Sequence, residues 1–135
     1  MKTILTLISR YWPTALVVAV IVYATLTPQP VEPDTLPMIP GLDKLIHAVM
    51  MGGLVGAVAF DWHRVDPRRR PLTSRVMMWI CFGATLFSAA DETLQGLLPI
   101  DRPSDINDFW ADLAGVCVAY LTAPAAVTAL FRKKH

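Results

Sequence analysis

Residues 88–115 read SAADETLQGLLPIDRPSDINDFWADLAG, and this stretch decides how the chain can fold. It starts and ends inside apolar runs long enough to cross a membrane. Yet it carries Asp91, Glu92, Gln95, Arg102, Asp105, Asp108 and Asp112. Charged side chains at membrane depth are costly; where they occur they turn into a bundle and mark a functional site. The rest of the chain reads as a frame that brings this stretch, and a partner stretch from Asp43 to His47, to one side of a bilayer.

Working outward, the composition agrees. The chain has 135 residues, enough for one domain, with 54% hydrophobic and only 17% charged residues. Its mean hydropathy is +0.46. Four apolar spans follow, at about 12–26, 44–60, 76–98 and 108–131, and short loops between them imply an all-α, four-span transmembrane antiparallel bundle. Pro13 suits the first turn of the first helix. That run is longer than a signal-peptide core, and no small-x-small cleavage site follows it, so it reads as a retained span. Residues 27–41 are proline-rich and read as an extended loop; residues 61–75 read as a short basic loop. Gly52 with Gly56, and Gly53 with Ala57, are small-xxx-small pairs that either permit close helix packing or are simply tolerated. Cys81 and Cys117 differ in depth by about 10 Å at the helical rise, too far for a disulfide, and read as small apolar fillers. The basic residues lie beside apolar spans, which suits a membrane surface and not nucleic acid.

The charges set the orientation. With both termini cytoplasmic, the inner side holds ten cations (Lys2, Arg10, Arg64, Arg68, Arg69, Arg70, Arg75, Arg132, Lys133, Lys134) against Asp61 and Asp66. The outer side and outer half hold Lys44 and Arg102 against Glu32, Asp34, Asp43, Asp91, Glu92, Asp101, Asp105, Asp108 and Asp112. Net charges of +8 and −7 recover the +1 of the chain, and the positive-inside rule selects this topology in a cytoplasmic (inner) membrane.

Orientation gives depth. Glu92 lies about 24 Å from the inner end of its span, in the outer third of a core about 30 Å thick. His47 and Asp112 lie about one turn below the outer ends of theirs. Helical spacing aligns each set: Asp43, Lys44 and His47; Ser88, Asp91, Glu92 and Gln95; Asp108, Asp112 and Gly115. Lipid cannot satisfy these faces, so they are expected to converge near the outer surface, with Arg102 folding over them. Simpler roles stand beside this one. Asp43 can cap the second helix, and Asn107 or Asp108 the fourth; Asp101 and Asp105 can be solvated loop charges; Lys44 can snorkel. None of these accounts for His47, Glu92 or Asp112, which lie inside spans; for them the alternative to a functional site is a purely structural buried polar network.

At these residues the chain resembles the VanZ-like family of small membrane proteins. Lys44 and His47 match its Lys-x-x-His, Asp91, Glu92 and Gln95 its Asp-Glu-x-x-Gln, Arg102 its loop Arg, and Asp108, Asp112 and Gly115 the opening of its last span. The chain departs where aromatic residues often follow the His, and where Asp112 replaces an Asn-type residue. The resemblance implies a cell-envelope role, of the kind that gives resistance to teicoplanin-type lipoglycopeptides. The expected partners are therefore membrane lipids and a lipid headgroup, lipid-linked glycan or lipoglycopeptide antibiotic. The expected binding set is Asp43, Lys44, His47, Asp91, Glu92, Gln95, Arg102, Asp105, Asp108 and Asp112. An intramembrane enzyme using His47 and Glu92 as acid and base is the alternative, although no nucleophile motif accompanies them. Asp43, His47, Glu92 and Asp108 have the chemistry of metal ligands, but neither His-x-x-x-His nor paired-Cys spacing is present, so no metal or other cofactor is expected.

Overall fold

A computed structural model of the chain describes residues 2–28, 39–65, 70–100 and 104–132. Among these residues the fold is all-helical: α1 (Lys2–Arg10), α2 (Trp12–Leu26), α3 (Leu42–Val65), α4 (Ser74–Leu97) and α5 (Ile106–Phe131).

The first helix is an addition to the sequence reading. α1 is amphipathic, with Ile4, Leu5, Leu7 and Ile8 exposed on one side and Thr6, Ser9 and Arg10 on the other. It meets α2 at 91°. Pro13, in the first turn of α2, explains the break. Its ring would collide with the carbonyl of Ser9 if one helix ran through, and it has no N–H to donate there.

Gly41, with φ of 79°, turns the chain into α3. This helix runs past the expected end at residue 60, to Val65. Asp61 is therefore not a loop charge. It is completely buried and accepts hydrogen bonds from Thr14 N–H at 3.0 Å and Thr14 Oγ1 at 2.7 Å. Arg64 Nη2 lies 3.0 Å from its other oxygen. The carboxylate thus satisfies a free N–H of the first turn of α2, where negative charge is favoured. Thr73 caps α4 by accepting from Val76 N–H at 3.3 Å. The cap of α5 is Asp105, which accepts from Asn107 N–H at 2.9 Å; Asn107 and Asp108 already lie inside the helix.

Among the described residues, two helices, α3 and α5, are long and apolar enough to cross a membrane, and a third span exists if α1 and α2 form one bent unit. The expected count of four meets two obstacles. α2 has 15 residues, about 22 Å at the helical rise against a core of about 30 Å. α4 has 24 residues, long enough, but bears Arg75, Asp91 and Glu92.

The helices alternate in direction. Thr14 near the start of α2 meets Asp61 near the end of α3, and Ser88 late in α4 meets Asp112 early in α5. α3 and α5 run parallel and make the most extensive contact. Gly115 makes it possible: a Cβ there would sit 2.0 Å from the Ala48 carbonyl oxygen. Gly52 faces Gly115, where a Cβ would stand 3.2 Å from the carbonyl oxygen, whereas Gly53 and Gly56 have open space. Of the glycines in the two sequence pairs, then, Gly52 alone lies at this close approach. The core is slender, built around Ile21, Met51, Val55, Ala59, Met77 and Val116. Leu16, Val49, Trp79, Phe82, Val118 and Leu121 point outward instead, an inside-out distribution that suits lipid as the surrounding medium. Both cysteines are free thiols, and Cys117 is exposed and so fills no interior space.

Candidate functional site: a buried polar cluster at one end of the bundle

At the end of the bundle opposite Asp61, the core changes character. His47 is 2% exposed, Gln95 1%, Asp112 2%, and Asp91 and Glu92 6% and 7%. Thr25, Ser88 and Asp108 are buried with them. Buried charges persist only when paired and hydrogen-bonded, and here most of the buried polar atoms have a partner.

α3 contributes Lys44 and His47 on one face. Lys44 Nζ reaches Asp43 at 2.9 Å and Asp105 at 2.8 Å, and it also pairs with Asp108 Oδ1. One ammonium thus joins the start of α3 to the start of α5. His47 lies a turn deeper. Its Nδ1 is 3.1 Å from Asp112 Oδ1 and its Nε2 is 3.5 Å from Asp108 Oδ2. Asp112 Oδ2 accepts from Ser88 Oγ at 2.6 Å, which ties α4 into the same network. Glu92 Oε2 accepts from Ser104 Oγ at 3.0 Å. Its Oε1 is buried with no hydrogen-bond partner among the described residues.

Asp91 belongs to a neighbouring lobe. It accepts from Thr25 Oγ1 at 2.9 Å and from Gln95 Nε2 at 3.2 Å, so it faces α2 while Glu92, one residue on, faces α5. Gln95 Oε1 is buried and likewise has no hydrogen-bond partner among the described residues. Outside the spans, the Lys44 ammonium holds the Asp105 carboxyl below its usual range, helped by the Asn107 backbone N–H.

The structure therefore brings Lys44, His47, Glu92, Asp105, Asp108 and Asp112 together, with Asp91 and Gln95 alongside. Asp43 stays at the rim, with its side chain 63% exposed. Arg102 and Asp101 lie outside the described residues. The partners of Thr25 and Ser104 could not be read from the sequence, because a lone hydroxyl in an apolar run or a loop has no pattern to announce it. Ser88 could be placed on the face of Glu92 and Gln95 by spacing, but its partner Asp112 could not be named.

Beside the cluster, between α3 and α5, lies an apolar groove of about 400 Å³. It begins at Leu45 and Ala48, next to Lys44 and His47, and runs past Gly52, Gly53 and Val118 to Thr122.

A fold that is all-helical among the described residues, with membrane-length apolar helices, outward-facing large apolar side chains and a buried ionic cluster at one end, is of the integral-membrane class. The chain belongs to the VanZ/LLP1 family, whose model matches residues 3–130. No curated protein and no solved structure matches it.

Proposed function

We propose that this VanZ/LLP1 membrane protein binds the polar headgroup of an envelope lipid, lipid-linked glycan or lipoglycopeptide at the outer ends of its helices. In this reading it crosses the cytoplasmic membrane four times with both termini inside. α4 serves as the third span because Asp91, Glu92 and Gln95 face the bundle and not lipid. α1, at a right angle to α2, lies along the inner interface with Ile4 and Ile8 in the acyl region, as amphipathic surface helices do.

The observation that carries the proposal is the pairing of two features at one level: a buried ionic cluster and an apolar groove that starts beside it. A lipid has the same two parts. Its headgroup would exchange hydrogen bonds with Lys44, Gln95 and Asp112, Arg102 would supply a bidentate fork for phosphate or carboxylate, and one chain would lie along Ala48, Gly52 and Val118. The test is the sensitivity of cells to envelope-directed antibiotics. Glu92→Gln and His47→Ala proteins that accumulate in the membrane at wild-type levels should shift that sensitivity towards the deletion strain. Sensitivity equal to wild type for both would refute the proposal.

One observation favours a catalytic version. A ligand atom of His47 lies within 4.8 Å of one of Glu92, and Asp112 orients the imidazole, the arrangement of an acid–base pair with its positioning group. Purified protein incubated with envelope lipids should then change the mass of one lipid class; no change in any fraction would dismiss it.

A further inference from the structure

His47 of α3, Glu92 of α4 and Asp108 of α5 come from three helices and meet at the centre of the cluster. One ligand-type atom from each lies within 4.8 Å of the others, and all three residues are buried. His47 Nε2 and Asp108 Oδ2 are 3.5 Å apart. Metal–ligand bonds of about 2.1 Å place neighbouring ligand atoms about 3.0–3.4 Å apart in octahedral or tetrahedral shells, so this pair needs almost no adjustment.

Each group is also held from behind through its other polar atom. Asp112 Oδ1 engages His47 Nδ1 at 3.1 Å, and Ser88 fixes Asp112 in turn at 2.6 Å. Lys44 holds Asp108 Oδ1, and Ser104 holds Glu92 Oε2 at 3.0 Å. With Nδ1 engaging Asp112, Nε2 faces the Asp108 carboxylate at 3.5 Å, so a cation at Nε2 would be held by both groups. Glu92 Oε1, on a side chain 7% exposed, is the independent sign of a ligand: a buried carboxylate oxygen without a hydrogen-bond partner among the described residues. Carboxylate–histidine–metal triads backed by hydrogen-bonded carboxylates have this construction.

We propose that His47, Glu92 and Asp108 bind one divalent transition-metal ion through an imidazole nitrogen and two carboxylate oxygens. The two carboxylates balance its charge. The mixed nitrogen and oxygen donors favour Zn²⁺ or Mn²⁺ over Mg²⁺ or Ca²⁺, and the absence of thiolates disfavours Cu(I). Three protein ligands leave a coordination position open. The proposal does not depend on headgroup binding, since the donor set is complete within the chain.

The test uses full-length protein purified without nickel affinity and stripped with chelator. It is titrated calorimetrically with Zn²⁺ and with Mn²⁺, dialysed, and analysed for metal. The expected result is one ion per chain with either metal or both. Glu92→Gln, which keeps side-chain shape, should weaken binding at least tenfold. Asp112→Asn, which removes the carboxylate behind the His47 imidazole without removing a proposed ligand, should weaken it about 10–100-fold. Cys117→Ser, at an exposed thiol, should bind as wild type. No saturable one-to-one uptake by the wild-type protein overturns the proposal, as does uptake that survives Glu92→Gln or vanishes with Cys117→Ser. If Glu92→Gln fails to fold, the wild-type stoichiometry and the Asp112→Asn affinity decide by the same criteria.

Discussion

Lys44 is the residue on which the rim of the cluster turns. Its ammonium touches Asp43, Asp105 and Asp108, and Asp108 is largely buried. Lys44→Met keeps the aliphatic stem but leaves that carboxylate without its cation. Because Lys44 is a third exposed, solvent screening limits the loss to about 1–2 kcal/mol, readable as a lower unfolding midpoint in detergent. Asp105 gives a pH-dependent counterpart. Its carboxyl titrates below the ordinary value of 3.8 because Lys44 and the Asn107 N–H favour the anion. A lowered folded-state pKa contributes stability that is complete above the unfolded value and is lost as pH falls through the folded one. Asp105→Asn should therefore make the fall in unfolding midpoint below about pH 4 shallower, and an unchanged acid limb would contradict the Lys44 contact. At this scale the sequence was a good guide to ionisable groups, because a charge inside an apolar run has few explanations. It was a poor guide to hydroxyls: Thr25, Ser88 and Ser104 complete the network, but serine and threonine are equally at home in a membrane helix with no partner but their own backbone, as Thr85 and Thr122 show here by donating to Cys81 O and Val118 O.

Among the elements, the parallel contact of α3 with α5 sets the site, because it places His47 against Asp108 and Asp112. Gly115 controls that contact. Gly115→Ala would drive a methyl into the Ala48 carbonyl, and the helices must separate, at a cost of about 1–3 kcal/mol or more. Gly53→Ala meets nothing within 4 Å and should be neutral or slightly stabilising, through helix propensity. Equal effects of the two substitutions on thermal unfolding would contradict the packing. α1 makes a different prediction: spin labels at Ile4 and Ile8 should collide with oxygen dissolved in lipid, and labels at Ser9 with aqueous nickel chelate. The four later helices, α2 to α5, could be anticipated from apolar runs and their polar breaks. α1 could not, since a two-turn amphipathic segment is easily read as a charged flank. The extension of α3 was hidden for a physical reason too. Asp61 and Arg64 resemble the start of a basic loop, and only the tertiary contact with Thr14 makes burial of that carboxylate affordable.

The whole molecule carries opposite chemistry at its opposite ends. One end carries Asp61 under the start of α2, with arginines around it; the other carries the buried cluster and the mouth of the apolar groove. The charge asymmetry behind the proposed orientation can be read from the sequence alone, because it depends only on which segments hold Arg and Lys. The number of spans is less legible, because α2 is short and α4 carries its charges within the helix, so each would cross lipid only with help from its neighbours. The central claim is that the cluster and groove together hold a polar lipid. Its most direct test is native mass spectrometry of the protein extracted gently from its membrane, with lipids resolved. The account predicts one tightly retained polar envelope lipid per wild-type chain, lost from correctly folded Glu92→Gln and His47→Ala proteins. A wild-type spectrum without retained lipid, or the same lipid retained equally by both variants, would contradict it.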